Sequence, residues 1–103
     1  MVRALSSATA LVLDALGRGV RHGFDILDVT GLPSGTVYPI LRRLEHEGLA
    51  RSKWEDARRA QREQRPPRRY YTLTRDGEAR LADARARFPM LRGAPAGARI
   101  RRA

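Results

Sequence analysis

Arg42 and a short group of residues ahead of it have side chains that suit contact with a nucleic acid. A guanidinium can donate two hydrogen bonds to the acceptor atoms of one guanine, and only Arg42 in this group can do so. Two neighbours, Thr36 and Pro39, could touch a thymine methyl, and the Tyr38 hydroxyl could donate to a phosphate. The predicted DNA-contacting residues of this segment are Ser34, Gly35, Thr36, Tyr38, Pro39 and Arg42.

A second group, further along the chain, is rich in arginine and suits phosphate binding. Residues 51–69 contain eight basic side chains and three acidic ones. Phosphate contacts usually dominate affinity for nucleic acid and make it depend on salt, but they carry no sequence information. We expect this group to hold the nucleic acid through Arg58, Arg59, Arg62, Arg65 and Arg68.

The net charge of +10 is confined to the second half of the 103-residue chain. Residues 1–50 hold five arginines against five carboxylates, whereas residues 51–103 hold sixteen basic side chains against six acidic ones. A GC-rich coding bias explains why arginine replaces lysine, but it does not explain this placement. The asymmetry therefore indicates a polyanionic partner, for which double-stranded DNA is the leading candidate.

Helical spacing of apolar residues places the first group on a helix. Val37, Ile40, Leu41 and Leu44 form one stripe, which leaves Arg42 on the opposite face. We predict a helix over 34–48, with Ser34 as the N-cap and Gly48 in a left-handed conformation at the C-terminus. The same helix contains Pro39, one turn from its start, which forfeits one backbone hydrogen bond.

The remaining elements follow from the same kinds of pattern. The predicted bounds are helices over 5–17, 22–29 and 74–88 and strands over 50–55 and 69–73, with a polar basic tip over 56–67. We expect Trp54 to be a packing residue and one of Tyr70 and Tyr71 to be in the core. Thr74 is the expected N-cap of the last helix.

This order of elements predicts a mainly α chain with a small β-hairpin, an α+β fold. A helix after a short turn, followed by a basic hairpin and a capped helix, is the outline of a winged helix-turn-helix: a three-helix core, a wing and a C-terminal helix. We expect residues 1–88 to form this domain and residues 89–103 to be a basic, disordered tail.

The residue types argue against catalysis and metal binding. The chain has no cysteine and only two histidines, and it shows no acid–base pair, nucleophile motif or phosphate-cradling glycine loop. We therefore expect a protein that is not an enzyme and has no metal or cofactor. Apolar runs are too short to span a bilayer, and the N-terminus is unlike a signal peptide, so we expect a cytoplasmic, nucleoid-associated location and no membrane partner.

Three segments together resemble the PadR-like transcriptional regulators. They are SGTVYPILRRLEHEGL at 34–49, HGFDIL at 22–27 and RYYTLTRDG at 69–77, and the resemblance covers roughly residues 4–88. The resemblance implies a repressor that binds DNA as a homodimer through its first helix and its C-terminal (fourth) helix. It also places Tyr38 near the DNA backbone and allows a small-molecule effector, which no residue here identifies.

One departure from that family concerns the dimer. The predicted C-terminal helix has about fourteen residues before Pro89, which is short for the usual family dimer. Leu5 and Phe88, near the outer ends of the folded region, are the candidates for contacts between subunits. Such a dimer would match two half-sites about one helical turn apart.

Two other functions fit the same residues. A winged-helix module could bind an acidic protein partner through its basic wing, and such a module would not shift a random duplex in a salt-dependent way. An RNA-associated basic protein is the other alternative, although the usual aromatic stacking pairs on an open sheet are weak here.

Overall fold

The computed structural model describes residues 5–92. The elements are α1 (Ser7–Gly17), α2 (Gly23–Thr30), α3 (Ser34–His46), β1 (Ala50–Trp54), α4 (Ala57–Arg62), β2 (Arg69–Leu73), α5 (Arg75–Arg87) and α6 (Pro89–Arg92). The helices and strands follow the predicted order, with two short helices, α4 and α6, added.

α1 is the centre of the core. Val12 and Leu13 are completely buried, and α1 packs against α2, α3 and α5. The predicted stripe of α3 faces this helix, with Leu41 and Leu44 buried. Each such side chain stabilises the fold by about 1.5–3 kcal/mol when it leaves water. Burying one stripe of α3 leaves its opposite face in solvent.

Both ends of α3 differ slightly from the prediction. Pro33, with an extended backbone, is the N-cap, and its carbonyl accepts from the amide of Thr36, so Ser34 is the first helical residue. The helix ends at His46, two residues before the predicted end, but Gly48 has the predicted left-handed conformation, with a φ of 77°, and the Leu49 amide donates to the Leu44 carbonyl at 2.8 Å. This arrangement satisfies the last carbonyls of α3 and turns the chain into β1.

β1 and β2 form an antiparallel hairpin, the wing, in which Ser52 pairs with Tyr71 and Trp54 with Arg69. An isolated bridge from His22 to Tyr70 ties the hairpin to the start of α2. Tyr71 is buried, as predicted for one of the two tyrosines. The predicted polar tip is not a plain loop but contains α4, whose N-cap Asp56 accepts from the Arg58 amide at 2.8 Å.

The junction between the wing and α5 depends on one close approach. Thr74 caps α5 as predicted, accepting from the Gly77 amide at 3.0 Å and donating to the Gly48 carbonyl at 2.7 Å. Gly77 is buried, and a Cβ there would overlap the carbonyl oxygen of Leu49. Only glycine therefore lets α5 approach the end of α3 this closely.

The C-terminal boundary lies later than predicted. Pro89–Arg92 form the single turn α6, because Leu91 is buried in the core and holds this segment against the domain. Leu5 is also buried, with 7% of its surface exposed, so its expected role between subunits is wrong: the chain covers Leu5 itself. The rest of the predicted tail, 93–103, lies outside the described residues.

Replacing Gly77 by alanine should destabilise the domain by about 1–3 kcal/mol, because the new methyl group overlaps a backbone atom that cannot move freely. Gly35→Ala is the matched control, since a Cβ there meets nothing within 4 Å on the exposed face of α3. That change should be neutral or stabilise by up to about 1 kcal/mol. Urea unfolding of both variants checks the difference, and equal stabilities would refute the close approach.

Candidate nucleic-acid interface

The outer face of α3 presents the residues predicted to read DNA. Ser34, Gly35, Pro39 and Arg42 are exposed, while Thr36 is half-buried toward one side. Arg42 makes no hydrogen bond or ion pair with another residue in the described range 5–92. The neighbouring arginine, Arg43, instead donates to the Thr9 hydroxyl at 2.8 Å and joins α3 to α1. Two adjacent arginines thus have different roles, and only Arg42 keeps its donors available.

Tyr38 packs against the start of α2 and still reaches solvent. A Cβ at Gly23 would overlap the Tyr38 ring and hydroxyl, so the ring lies directly on the backbone of α2. The residue remains 37% exposed. Packing fixes the ring, and the exposed part can contact a ligand at the edge of α3.

The arginines predicted in the wing fall into two classes. Arg58 and Arg62 are exposed on α4, and Arg59 is 63% exposed with Glu55 and Glu63 at 3.9 and 3.7 Å. Arg65 differs, because it donates to both carboxylate oxygens of Glu55, at 2.6 and 2.7 Å. The guanidinium of Arg65 is therefore occupied within the wing, and we leave it out of the proposed phosphate contacts.

Glu55 is the acceptor at the centre of the wing, with only 2% of its side chain exposed. Besides Arg65, the amide of Arg68 donates to Glu55 at 3.1 Å and the Tyr70 hydroxyl donates at 3.2 Å. The hydrogen bonds from Arg65 outweigh the effect of burial and lower the pKa of Glu55 to about 2. Sequence reasoning missed this carboxylate, since its partner lies ten residues away across a helix that was not predicted.

His22 joins the wing to α2. Its Nε2 lies 3.1 Å from a carboxylate oxygen of Asp25 and 3.4 Å from the Arg68 guanidinium, and its ring meets the Tyr70 ring edge-on. Burial is the main reason that the pKa of His22 lies below its ordinary value. The lowered pKa favours the neutral ring, which tolerates the adjacent Arg68.

Trp54, expected to be a packing residue, is not buried: it lies at the end of β1 and is 60% exposed. The Arg69 guanidinium lies over its ring, 5.0 Å from the centroid, and Arg69 also donates to the Ser52 hydroxyl at 3.0 Å. Phe24, on α2, is 73% exposed and lines the same groove as Trp54.

Within residues 5–92, no three histidine or carboxylate side chains are grouped so that they could hold a metal ion. In the same range no helix has the length and apolar character needed to cross a membrane.

Comparison with known families identifies one match. Residues 12–83 match the family described as the transcriptional regulator PadR-like family. The match spans α1 to α5 and includes the whole wing. Among curated proteins, none matches the sequence.

Solved structures show the same fold. A PadR family transcription regulator from Clostridium difficile is 21% identical with a TM-score of 0.69, covering 85% of this chain and 93% of its own. A PadR-like transcription factor from Bacteroides fragilis is 28% identical with a TM-score of 0.60, covering 82% of each chain. Bordetella bronchiseptica BpsR, whose DNA binding is regulated by 6-hydroxynicotinic acid, is 23% identical with a TM-score of 0.67; the match covers 86% of this chain but spans only 63% of BpsR.

Glu55→Gln should lower the midpoint of thermal unfolding at neutral pH, because it removes the charge that Arg65 pairs with. The lowered pKa sets the pH range. Glu55 contributes its full stabilisation above its ordinary pKa of 4.5, and the contribution is lost as the pH falls toward about 2. The variant should therefore show a flatter loss of stability over that range.

Glu63→Gln is the control, because Glu63 also contacts Arg65, at 3.0 Å, but its side chain is 50% exposed. Exposed pairs contribute little, so this change should move the midpoint far less. Thermal unfolding followed by circular dichroism from pH 7 to pH 2 checks both. Parallel acid profiles for the wild type and Glu55→Gln would contradict the role given to Glu55.

Proposed function

This chain belongs to the PadR-like family of transcriptional regulators, and from that premise we propose that it represses a promoter by binding duplex DNA with α3 and the wing. The observation that carries the proposal is the position of Arg42, exposed opposite the buried stripe of α3 and without a partner among residues 5–92. In a helix-turn-helix, the early residues of the second helix meet base edges in the major groove. Ser34, Gly35, Thr36 and Pro39 would lie beside Arg42 there.

The wing would supply most of the affinity. α3 is nearly neutral, because Arg42 and Arg43 are offset by Glu45 and Glu47. Four cations would contact phosphates: the exposed Arg58, Arg59 and Arg62 on α4, and Arg68 directly before β2. In this proposal α3 selects the site and the wing strengthens binding to any duplex.

We also propose a homodimer, with its contacts on α1 and the α5–α6 end. Leu5 is covered by its own chain, so the surface must come from other residues. Met90, on α6, is 60% exposed. Phe88, directly after α5, and Leu11, on α1, are half-buried. Two copies about one helical turn apart would bind a two-fold symmetric site.

We also propose where in the cell the chain acts and that a small molecule could regulate it. Binding to chromosomal DNA would place the chain in the cytoplasm with the nucleoid. DNA binding by its structural neighbour BpsR is regulated by 6-hydroxynicotinic acid. By analogy, a small molecule of a different, unassigned structure could regulate DNA binding by this chain.

Arg42→Ala should cost about 1–3 kcal/mol on the preferred site and relax the preference at one base position. Arg75→Ala is the control, since it removes an exposed arginine from the start of α5, outside the proposed DNA interface and the proposed dimer surface. Titration of the preferred duplex and its single-base variants measures both effects. Equal loss on all sequences would show that Arg42 contacts only phosphate, and no loss would remove it from the interface.

Changing Arg58 and Arg62 together to glutamine should weaken binding to all duplexes, because two phosphate contacts are lost. The slope of log affinity against log salt should fall by about two units. Arg75→Gln, which removes an exposed arginine of α5 outside both proposed surfaces, is the control for loss of a cation away from the wing. An unchanged slope in the wing variant would show that α4 stands away from DNA.

A further inference from the structure

Three of the exposed large apolar side chains in the described part of the chain line a single groove. They are Phe24, Trp54 and Tyr38, with 73%, 60% and 37% of their surfaces exposed. The groove, which we call the junction groove, has a volume of about 380 Å³ and lies between the start of α2, α3 and the wing. Exposed apolar surface gathered in one concave place usually marks a contact with another molecule.

The charges around the junction groove indicate an anionic occupant. Arg68 and Arg69 line it, and none of its described lining residues is an aspartate or glutamate; Arg65 also lines it but is paired with Glu55. Arg69 is held in position, because it donates to Ser52 at 3.0 Å, lies 3.6 Å from Glu45 and has its guanidinium over Trp54. The occupant must therefore present negative charge beside flat apolar surface.

The position of the groove selects one occupant with these properties. Tyr38 lies on α3, at the side of the face that carries Arg42. Arg69 is the first residue of β2, and Arg68 comes directly before it. In the proposed complex, the DNA strand that borders the major groove at α3 would pass between them to reach the wing. The sugar–phosphate backbone of such a strand alternates charged phosphates with deoxyribose rings, whose faces are largely apolar.

We propose that the junction groove seats the sugar–phosphate backbone of one DNA strand. Trp54 and Phe24 pack on deoxyribose, while Arg68, Arg69 and the Tyr38 hydroxyl contact the adjoining phosphates. This inference rests on the proposed DNA binding and adds an apolar contribution to it. Because apolar contacts release no counterions, this part of the affinity does not depend on salt.

The first experiment uses Trp54 as its own probe, since it is the single tryptophan of the chain. Titration of the full chain with a DNA duplex that it prefers should change the fluorescence emission of Trp54. The change should run in parallel with binding measured by mobility shift. Binding with unchanged emission would overturn the junction groove and leave DNA binding standing. Absence of any binding would overturn both, so the two failures are distinguishable.

The second experiment separates apolar from ionic contributions. Trp54→Ala and Phe24→Ala should each weaken DNA binding on the order of tenfold without changing the salt slope. Val29→Ala is the control, because Val29 is also an exposed apolar residue of α2 but lies near the other end of that helix, outside the junction groove. Circular dichroism should show that all three variants fold, since the replaced side chains lie at the surface.

Three results would refute the inference. One is an affinity for DNA that Trp54→Ala leaves unchanged. The other is a Trp54 emission that changes with protein concentration alone, which would show that a second copy of the chain covers the groove. A salt slope that falls in Trp54→Ala would also contradict it, because it would mean that the variant acts through the Arg69 cation above the ring.

Discussion

The buried carboxylate of Glu55 is the contact on which the wing depends. A charge inside a protein is stable only when it is paired and hydrogen-bonded, and Glu55 achieves this with both arms of Arg65, the Arg68 amide and the Tyr70 hydroxyl. Arg65 follows α4, and Tyr70 lies on β2. One acidic residue thus fixes both the helical tip and the returning strand of a strongly basic hairpin.

The same contact sets the geometry between the wing and the helices. Tyr70, held by Glu55, forms the isolated bridge with His22, the N-cap residue of α2, and Arg68 lies against the His22 ring. The wing is therefore attached to α2 as well as to α5. A wing held in this way keeps a constant distance from α3, which a reader of duplex DNA needs if base and phosphate contacts are to form together.

The role of each arginine in this chain depends on the groups that it contacts, not on the residues beside it in the sequence. Arg43 is bound to Thr9 and Arg65 to Glu55, so both stabilise the fold. Arg42, next to Arg43, and Arg62, on α4, are exposed and remain available to a ligand. Net charge alone would have counted all four as contributions to DNA binding.

Local signals explain what could be predicted from the sequence. The stripe of α3, the left-handed Gly48, the strand 69–73 and the Thr74 cap all follow from residues a few positions apart, and the structure confirms them. Contacts between distant residues could not be predicted in this way. The bond from Arg43 to Thr9 spans 34 residues, and the burial of Leu5 depends on its packing into the core, which its sequence neighbours do not show.

The exposure of Trp54 was missed for a related reason. Alternation along a strand shows which residues share a face, but it does not show how far the core extends beneath that face. Here the sheet has only two strands, and its outer end is left uncovered. The residues proposed to touch DNA stay predictions, because burial and partners show which side chains are available and not what they bind.

Selection of bound sequences from a random duplex pool tests the central claim most directly, that α3 reads bases while the wing holds phosphates. The account predicts enrichment of a defined two-fold symmetric site, with half-sites about one helical turn apart. Recovery of tightly bound duplexes with no shared sequence would contradict it. That result would mean that the basic wing binds phosphates and α3 reads no bases.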